Sequence, residues 1–130
     1  MKKLALTLCT LVVSSIVAFA AEKFPDISHD ELKKAIEEKK VTLIDVNGSE
    51  SYNAGHIPGA INFETTKNDL AAKLPQDKNA LVVAYCGNEK CGAYQAGAKK
   101  AKELGYTNVK HYSKGIAGWK KSGEKTEKGS

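Results

Sequence analysis

Short apolar runs recur along this chain with helix-like segments between them, and that alternation restricts its fold more than any other feature. Residues 41–46 and 80–85 are apolar enough to lie inside a sheet, and residues 60–63 and 108–112 read as shorter strands. Ser28, with Ile27 before it and Glu31 three residues on, forms a capping box that opens a helix to about Lys39 with Leu32, Ala35 and Ile36 on one face. Ser49 begins a helical turn to about Asn53. Thr65 or Thr66 caps a helix that runs through Ala72 and stops before Pro75. Another helix is expected over residues 92–104, ended by Gly105, and a last helical turn over residues 115–121. Strands alternating with helices predict an α/β fold, a single domain with a mostly parallel central sheet and helices on both faces. Residues 122–130 are Lys, Glu, Gly, Ser and Thr, and are expected to form a flexible charged tail.

The first residues are read apart from that fold. Lys2 and Lys3 precede an apolar run over residues 4–19, and Ala18, Phe19 and Ala20 give the small-x-small pattern of a leader-peptidase site. The run falls short of the about 20 residues a membrane span needs. Residues 1–20 are therefore expected to be a cleaved secretory signal peptide, with a retained anchor as the alternative. Cys9 follows the bulky Leu8 after too brief an apolar segment, so it does not read as a lipoprotein cysteine. The domain is then residues 21–121, in a periplasmic or otherwise exported protein with no stable membrane anchor after cleavage. The whole chain carries a formal charge of +5, which losing Lys2 and Lys3 lowers to +3 (5 − 2). Its lysines alternate with acidic residues on solvated faces, so the basic balance does not indicate a nucleic-acid partner. All 20 basic residues are lysine, and the sequence contains no arginine.

Cleavage would also remove Cys9 and leave Cys86 and Cys91. An exported pair of cysteines usually reads as a structural disulfide. This one would close a very small loop, which constrains an unfolded chain little, so a chemical role fits the spacing better. Cys86 follows the strand-like run 80–85, at the carboxyl end of a strand, where open α/β sheets bind their ligands. Unpaired N–H groups between a strand end and a helix start stabilise a thiolate, lower its pKa and populate the nucleophile at neutral pH. Gly87 permits a tight turn. The loop Cys86, Gly87, Asn88, Glu89, Lys90 and Cys91 can then curl its amides around an anion, with Lys90 adding a weaker, screened attraction. The bland alternative is a buried cysteine that packs as a small hydrophobe. The cysteines with His29, His56 and His111 lack the paired short intervals of a zinc site, so no metal is expected. His56 is read as ordering its loop, Asp45 as a hydrogen-bonding or structural strand end, and Tyr85 and Trp119 as core or pocket wall.

At these residues the chain resembles the rhodanese superfamily. Leu43, Ile44, Asp45 and Val46, followed by residues 52–62 with the core Gly55-His56-Ile57-Pro58-Gly59-Ala60, resemble the family's first signature. Residues 82–86 resemble the strand leading into the active-site cysteine, and residues 93–106 the helix after it. Gly115, Ile116, Ala117, Gly118 and Trp119 resemble the terminal signature, which usually reads Gly-Gly-x-x-x-Trp. The resemblance covers about residues 27–121 and implies a double displacement. A sulfane-sulfur donor (thiosulfate, polysulfide or a persulfide) loads Cys86, the loop amides hold the persulfide, and its outer sulfur passes to cyanide, a thiol or a protein acceptor. No cofactor beyond that covalent persulfide is implied.

Two departures from the pattern stand out. Asp45, Val46 and Asn47 replace a frequent Asp-x-Arg, and Lys90 and Cys91 stand where many members carry arginine. Lysine offers a point charge in place of arginine's planar fork, so polysulfide or a persulfide fits better than bidentate thiosulfate. A related phosphatase branch needs an arginine-closed loop, which this chain cannot supply. Asp45, Asn47 and Trp119 are candidate supporting residues. Cys91 either resolves the Cys86 persulfide to a disulfide or merely packs at the helix start. Two other readings stay open: a non-catalytic binding or sensing module, and a Cys86/Cys91 thiol–disulfide redox protein. Monomer and homodimer are both compatible with the sequence.

Overall fold

The computed structural model describes residues 23–129, so the signal-peptide expectation and Cys9 lie outside the described residues. Within them, β1 (Val41–Asp45), β2 (Ile61–Asn62), β3 (Leu81–Tyr85) and β4 (Val109–His111) form one all-parallel sheet in the order β2-β1-β3-β4. β1 and β3 lie at its centre and run in step, Leu43 beside Val83 and Asp45 beside Tyr85.

Successive side chains of these strands go to opposite faces, as a pleated strand requires. Leu43, Val83 and Tyr85 join a core with Leu32, Tyr52, Ile57, Tyr112 and Trp119. Ile44, Val82 and Ala84 join a second core with Leu70, Leu74, Ala98, Ala101 and Tyr106. The first face is covered by α1 (His29–Glu37), α2 (Ser49–Ala54) and α6 (Gly115–Lys121), the second by α4 (Leu70–Lys73) and α5 (Tyr94–Glu103). A strand buried on both sides cannot alternate polar and apolar residues, which explains the unbroken apolar runs. Burying a valine such as Val82 or Val83 contributes about 1.5–3 kcal/mol. α5 presses close to β1, since a Cβ on Gly97 would stand 3.0 Å from both Ile44 Cγ2 and Val46 Cγ2. Among the described residues, no helix is long and apolar enough to cross a membrane.

The Ser28 capping box is present in full, with Ser28 Oγ accepting from Glu31 N at 3.2 Å and the Glu31 carboxylate from Ser28 N at 3.4 Å. One expected helix is corrected. In place of a threonine-capped helix through Ala72 there are two single turns, α3 (Phe63–Thr66) and α4, and the cap of α3 is Asn62. The Asn62 side chain accepts from Glu64 N at 3.1 Å, and Thr66 Oγ1 instead donates to the Asn62 carbonyl at 2.8 Å. An Asn at the strand end competes successfully for the cap because asparagine is among the best capping residues.

The expected flexible tail is corrected too. From Ser122 the chain folds back over the domain. His56 and Glu127 exchange both backbone hydrogen bonds at 2.9 Å, and Gly129 N donates to Asn53 O at 3.0 Å. The Trp119 indole N–H donates to the Lys125 carbonyl at 2.8 Å. Glu124 lies 3.1 Å from Lys33 Nζ and 3.2 Å from His29 Nε2. Those hydrogen bonds, Lys33's first, hold the Glu124 pKa below the ordinary carboxylate value. A carboxylate depressed by folding contributes stability that is complete above its unfolded pKa and is lost as pH falls through its folded one. Glu124→Gln should therefore be less stable than the unsubstituted protein at neutral pH, with the two stability curves converging in acid. Urea unfolding at stepped pH reads this, and parallel curves throughout would remove Glu124 from the account.

Candidate active site

Cys86 is the first residue past β3, one of the two central strands, and is 1% exposed. Its carbonyl accepts from Ile116 N at 3.0 Å, and the Gly87 carbonyl from Ala117 N at 2.9 Å. The first turn of a helix has N–H groups without helical partners. In α6, whose Lys114 N-cap makes no side-chain hydrogen bond, the cysteine loop satisfies two of them. The contact is close because Gly115 is glycine. A Cβ there would lie 2.6 Å from Cys86 O and 2.7 Å from Gly87 C, and Gly115 has φ +59°. The terminal signature drew attention to Gly115 in the sequence, but not to this role.

The carboxyl end of β1 forms the other wall. Asn47 N donates to Asp45 Oδ1 at 2.8 Å, and Val46 N to Tyr85 O at 3.0 Å. A Cβ on Gly87 would lie 3.6 Å from Asn47 Oδ1, which places the Asn47 side chain beside the loop. Asp45 is fully buried, and its Oδ2 accepts from the Tyr85 hydroxyl at 2.7 Å. That hydroxyl accepts in turn from Ile57 N at 3.0 Å. Burial, followed by the neighbouring Asp45 charge, raises the Tyr85 pKa far above the usual phenol value, so it stays a neutral donor. A column of polar groups thus joins the end of β1, the end of β3 and the loop around Ile57. His56 also orders that loop, donating from Nδ1 to Tyr52 O at 2.8 Å while its ring stacks on Tyr52 at 3.7 Å.

Within the loop, Asn88, Glu89 and Lys90 are exposed, and Gly87 and Cys91 are partly so. Asn88 makes a turn of its own. Its side-chain oxygen accepts from Lys90 N at 2.9 Å and its carbonyl from Cys91 N at 3.1 Å. Those two amides are directed at Asn88, a departure from the expected ring of donors around the sulfur. Cys86 and Cys91 are joined as a disulfide, with Cα atoms 6.2 Å apart. α5 begins only at Tyr94, so no α5 helix end lies at the cysteine loop.

A cleft of about 680 Å³ opens beside the loop, lined in part by Asn88, Glu89, Lys90, Lys114, Lys121 and Ser122. Three lysines against one glutamate favour small anions there. Nothing local to the loop signals that Lys114 and Lys121 join Lys90, because α6 brings them from far along the chain. Trp119 is corrected as a supporting residue of the loop: it is buried, packs on His29 and Tyr112, and anchors the folded-back tail. Asp45 and Asn47 do reach the loop's surroundings. Among the described residues there is no cluster of three or more His, Cys, Asp or Glu able to hold a metal.

Comparison with known proteins agrees with this geometry. A curated relative, the HTH-type transcriptional regulator Rv0324 of Mycobacterium tuberculosis, is 36% identical over 104 residues. That alignment covers 79% of this chain but 45% of the regulator, so the chain spans less than half of that relative's length. Among solved structures, the BH2092 protein of Bacillus halodurans is similar with a TM-score of 0.63 and 26% identity, over 81% of this chain and 77% of that one. The human single-domain sulfurtransferase TSTD1 is similar with a TM-score of 0.60 and 26% identity, over 76% of this chain and 97% of that one. The family model of the rhodanese-like domain matches residues 28–122, the span that carries the sheet, the Cys86 loop and α6, and the chain belongs to that family.

Proposed function

We propose that the protein is a sulfurtransferase in which Cys86 takes a sulfane sulfur from a small anionic donor and passes it on as a persulfide. The observation that carries this reading is the position of Cys86: a buried cysteine at the end of a central strand, its backbone pinned by α6 beside a lysine-rimmed cleft. In the reduced protein, the Cys86 thiolate attacks the outer sulfur of thiosulfate or polysulfide, and sulfite or a shortened polysulfide leaves. The persulfide then gives that sulfur to cyanide, a thiol or a protein acceptor. Lys90, Lys114 and Lys121 draw the anionic donor without the paired hydrogen bonds of arginine, so polysulfide or an organic persulfide suits the cleft better than thiosulfate. Similarity to a human single-domain sulfurtransferase supports the same reading. We place the protein outside the cytoplasm, on the strength of residues 2–20 alone.

The test is thiocyanate formation from each donor and cyanide by reduced protein. Cys86→Ser should lose at least a hundredfold in rate, and polysulfide should be used faster than thiosulfate. A rate indifferent to Cys86 would favour the second reading, a non-catalytic module that docks a partner. The similarity to a protein named a transcriptional regulator is what keeps that alternative in view.

A further inference from the structure

We propose that the protein also reduces sulfane sulfur to sulfide, with Cys91 as the resolving thiol for Cys86. The inference rests on the persulfide reading above and adds a second step within the same loop. The Cys86 and Cys91 sulfurs are bonded, and their Cα separation of 6.2 Å lies within the range disulfides ordinarily span. The turn that brings them together belongs to the loop itself, since Asn88 accepts from both Lys90 N and Cys91 N. Cys86 is held from the other side by Ile116 N. In the bonded pair, Cys86 keeps its place at the end of β3 and its contact with α6.

The two steps balance. First, the Cys86 thiolate attacks the terminal sulfur of the donor, and a polysulfide shortened by one sulfur leaves. Second, the Cys91 thiolate attacks Cys86 Sγ, the inner sulfur of the persulfide, because Cys86 Sγ is the atom it bonds in the structure. The bond from Cys86 Sγ to the outer sulfur breaks, its electron pair leaves with that sulfur as HS⁻, and the Cys86–Cys91 bond forms. Two cysteine thiolates give up two electrons, and the sulfane sulfur gains them. Hydrosulfide is the conjugate base of a stronger acid than a cysteine thiol, which makes it the better leaving group.

The disulfide is reopened by an external dithiol, which becomes a disulfide in turn. Cys91 is partly exposed and Cys86 is 1% exposed, so the dithiol attacks Cys91 and Cys86 departs as the thiolate, ready for another donor. The net reaction converts a sulfane sulfur and a dithiol into sulfide and a disulfide.

The experiment gives one equivalent of inorganic polysulfide to fully reduced, oxygen-free protein with no other thiol present, and reads intact mass and free thiols. The unsubstituted protein should end about 2 Da lighter with two fewer thiols per chain, whereas Cys91→Ser should stop about 32 Da heavier and Cys86→Ser should not change. With a dithiol present, sulfide release should be at least tenfold slower in Cys91→Ser. If Cys91→Ser loads and the unsubstituted protein likewise keeps the extra sulfur with its Cys91 thiol free, Cys91 is not the resolving group and only this inference falls. A folded Cys91→Ser that gains no sulfur would remove the persulfide reading as well.

Discussion

Gly115→Ala is expected to abolish the proposed sulfur transfer although it leaves Cys86 and every loop residue unchanged. The new methyl would stand 2.6 Å from Cys86 O and 2.7–2.8 Å from the carbon and oxygen of the Gly87 carbonyl. These are backbone atoms and cannot swing aside as a side-chain tip would. Either α6 withdraws or residues 86 and 87 move, and both changes break the hydrogen bonds from Ile116 N and Ala117 N. Alanine must also adopt φ +59°, a left-handed conformation that costs a residue with a Cβ about 1–2 kcal/mol. Overpacking adds about 1–3 kcal/mol. The sum of about 3 kcal/mol should lower Tm by roughly 10–20 °C in a domain of this size. Circular dichroism should still report a folded α/β protein at low temperature, with persulfide loading by mass spectrometry down at least a hundredfold. A Gly115→Ala protein that loads sulfur normally would show that α6 does not position the loop.

Tyr85→Phe should be strongly destabilising although it deletes a single oxygen from the core. Removing the hydroxyl takes the donor from Asp45 Oδ2 and the acceptor from Ile57 N in one step. Each buried group left unsatisfied costs about 1–3 kcal/mol, and more when it is charged. A loss of about 3–4 kcal/mol is expected, large against the 5–15 kcal/mol that typically holds a domain together. The loop from His56 to Gly59 should loosen as well, because Ile57 loses its anchor at the end of β3. Urea unfolding reads the first effect, and amide exchange at Ile57 the second. A change under about 1 kcal/mol would mean that other groups hold this loop, since that is the size of a single ordinary hydrogen bond.

Much of the architecture was legible in the residues, and the parts that were not share a cause. Residues 41–46 and 80–85 read as buried strands because both faces of a covered parallel sheet are apolar, and β1 and β3 lie there. The capping box at Ser28 is a local code of four residues and is legible without its context. The fold of the tail is not legible, because composition reports only a segment's own tendency. Lys125, Glu124 and Glu127 are held by Trp119, His29, Lys33 and His56, partners supplied by other elements. The Asp45–Tyr85–Ile57 column escaped for the same reason, since its members are 40 and 28 residues apart. A faint signal existed: an aspartate closing an otherwise apolar strand needs a buried donor, and a tyrosine ends the next strand. The Cys86 loop is contiguous and so visible in the sequence, whereas the lysines of α6 that share its cleft are not.

The dependence of the Cys86 loop on α6 sets the order in which the site is assembled. During synthesis Cys86 emerges well before Ile116 and Ala117, with α5 and β4 still to follow between them. Until those amides arrive, the carbonyls of Cys86 and Gly87 lack their partners and the loop has no support from α6. Neither the strand on which Cys86 rides nor the loop that follows it can supply the missing anchors. A nascent or partly unfolded chain thus carries Cys86 in a loop still to be fixed, and the site is complete only once a segment far downstream has docked.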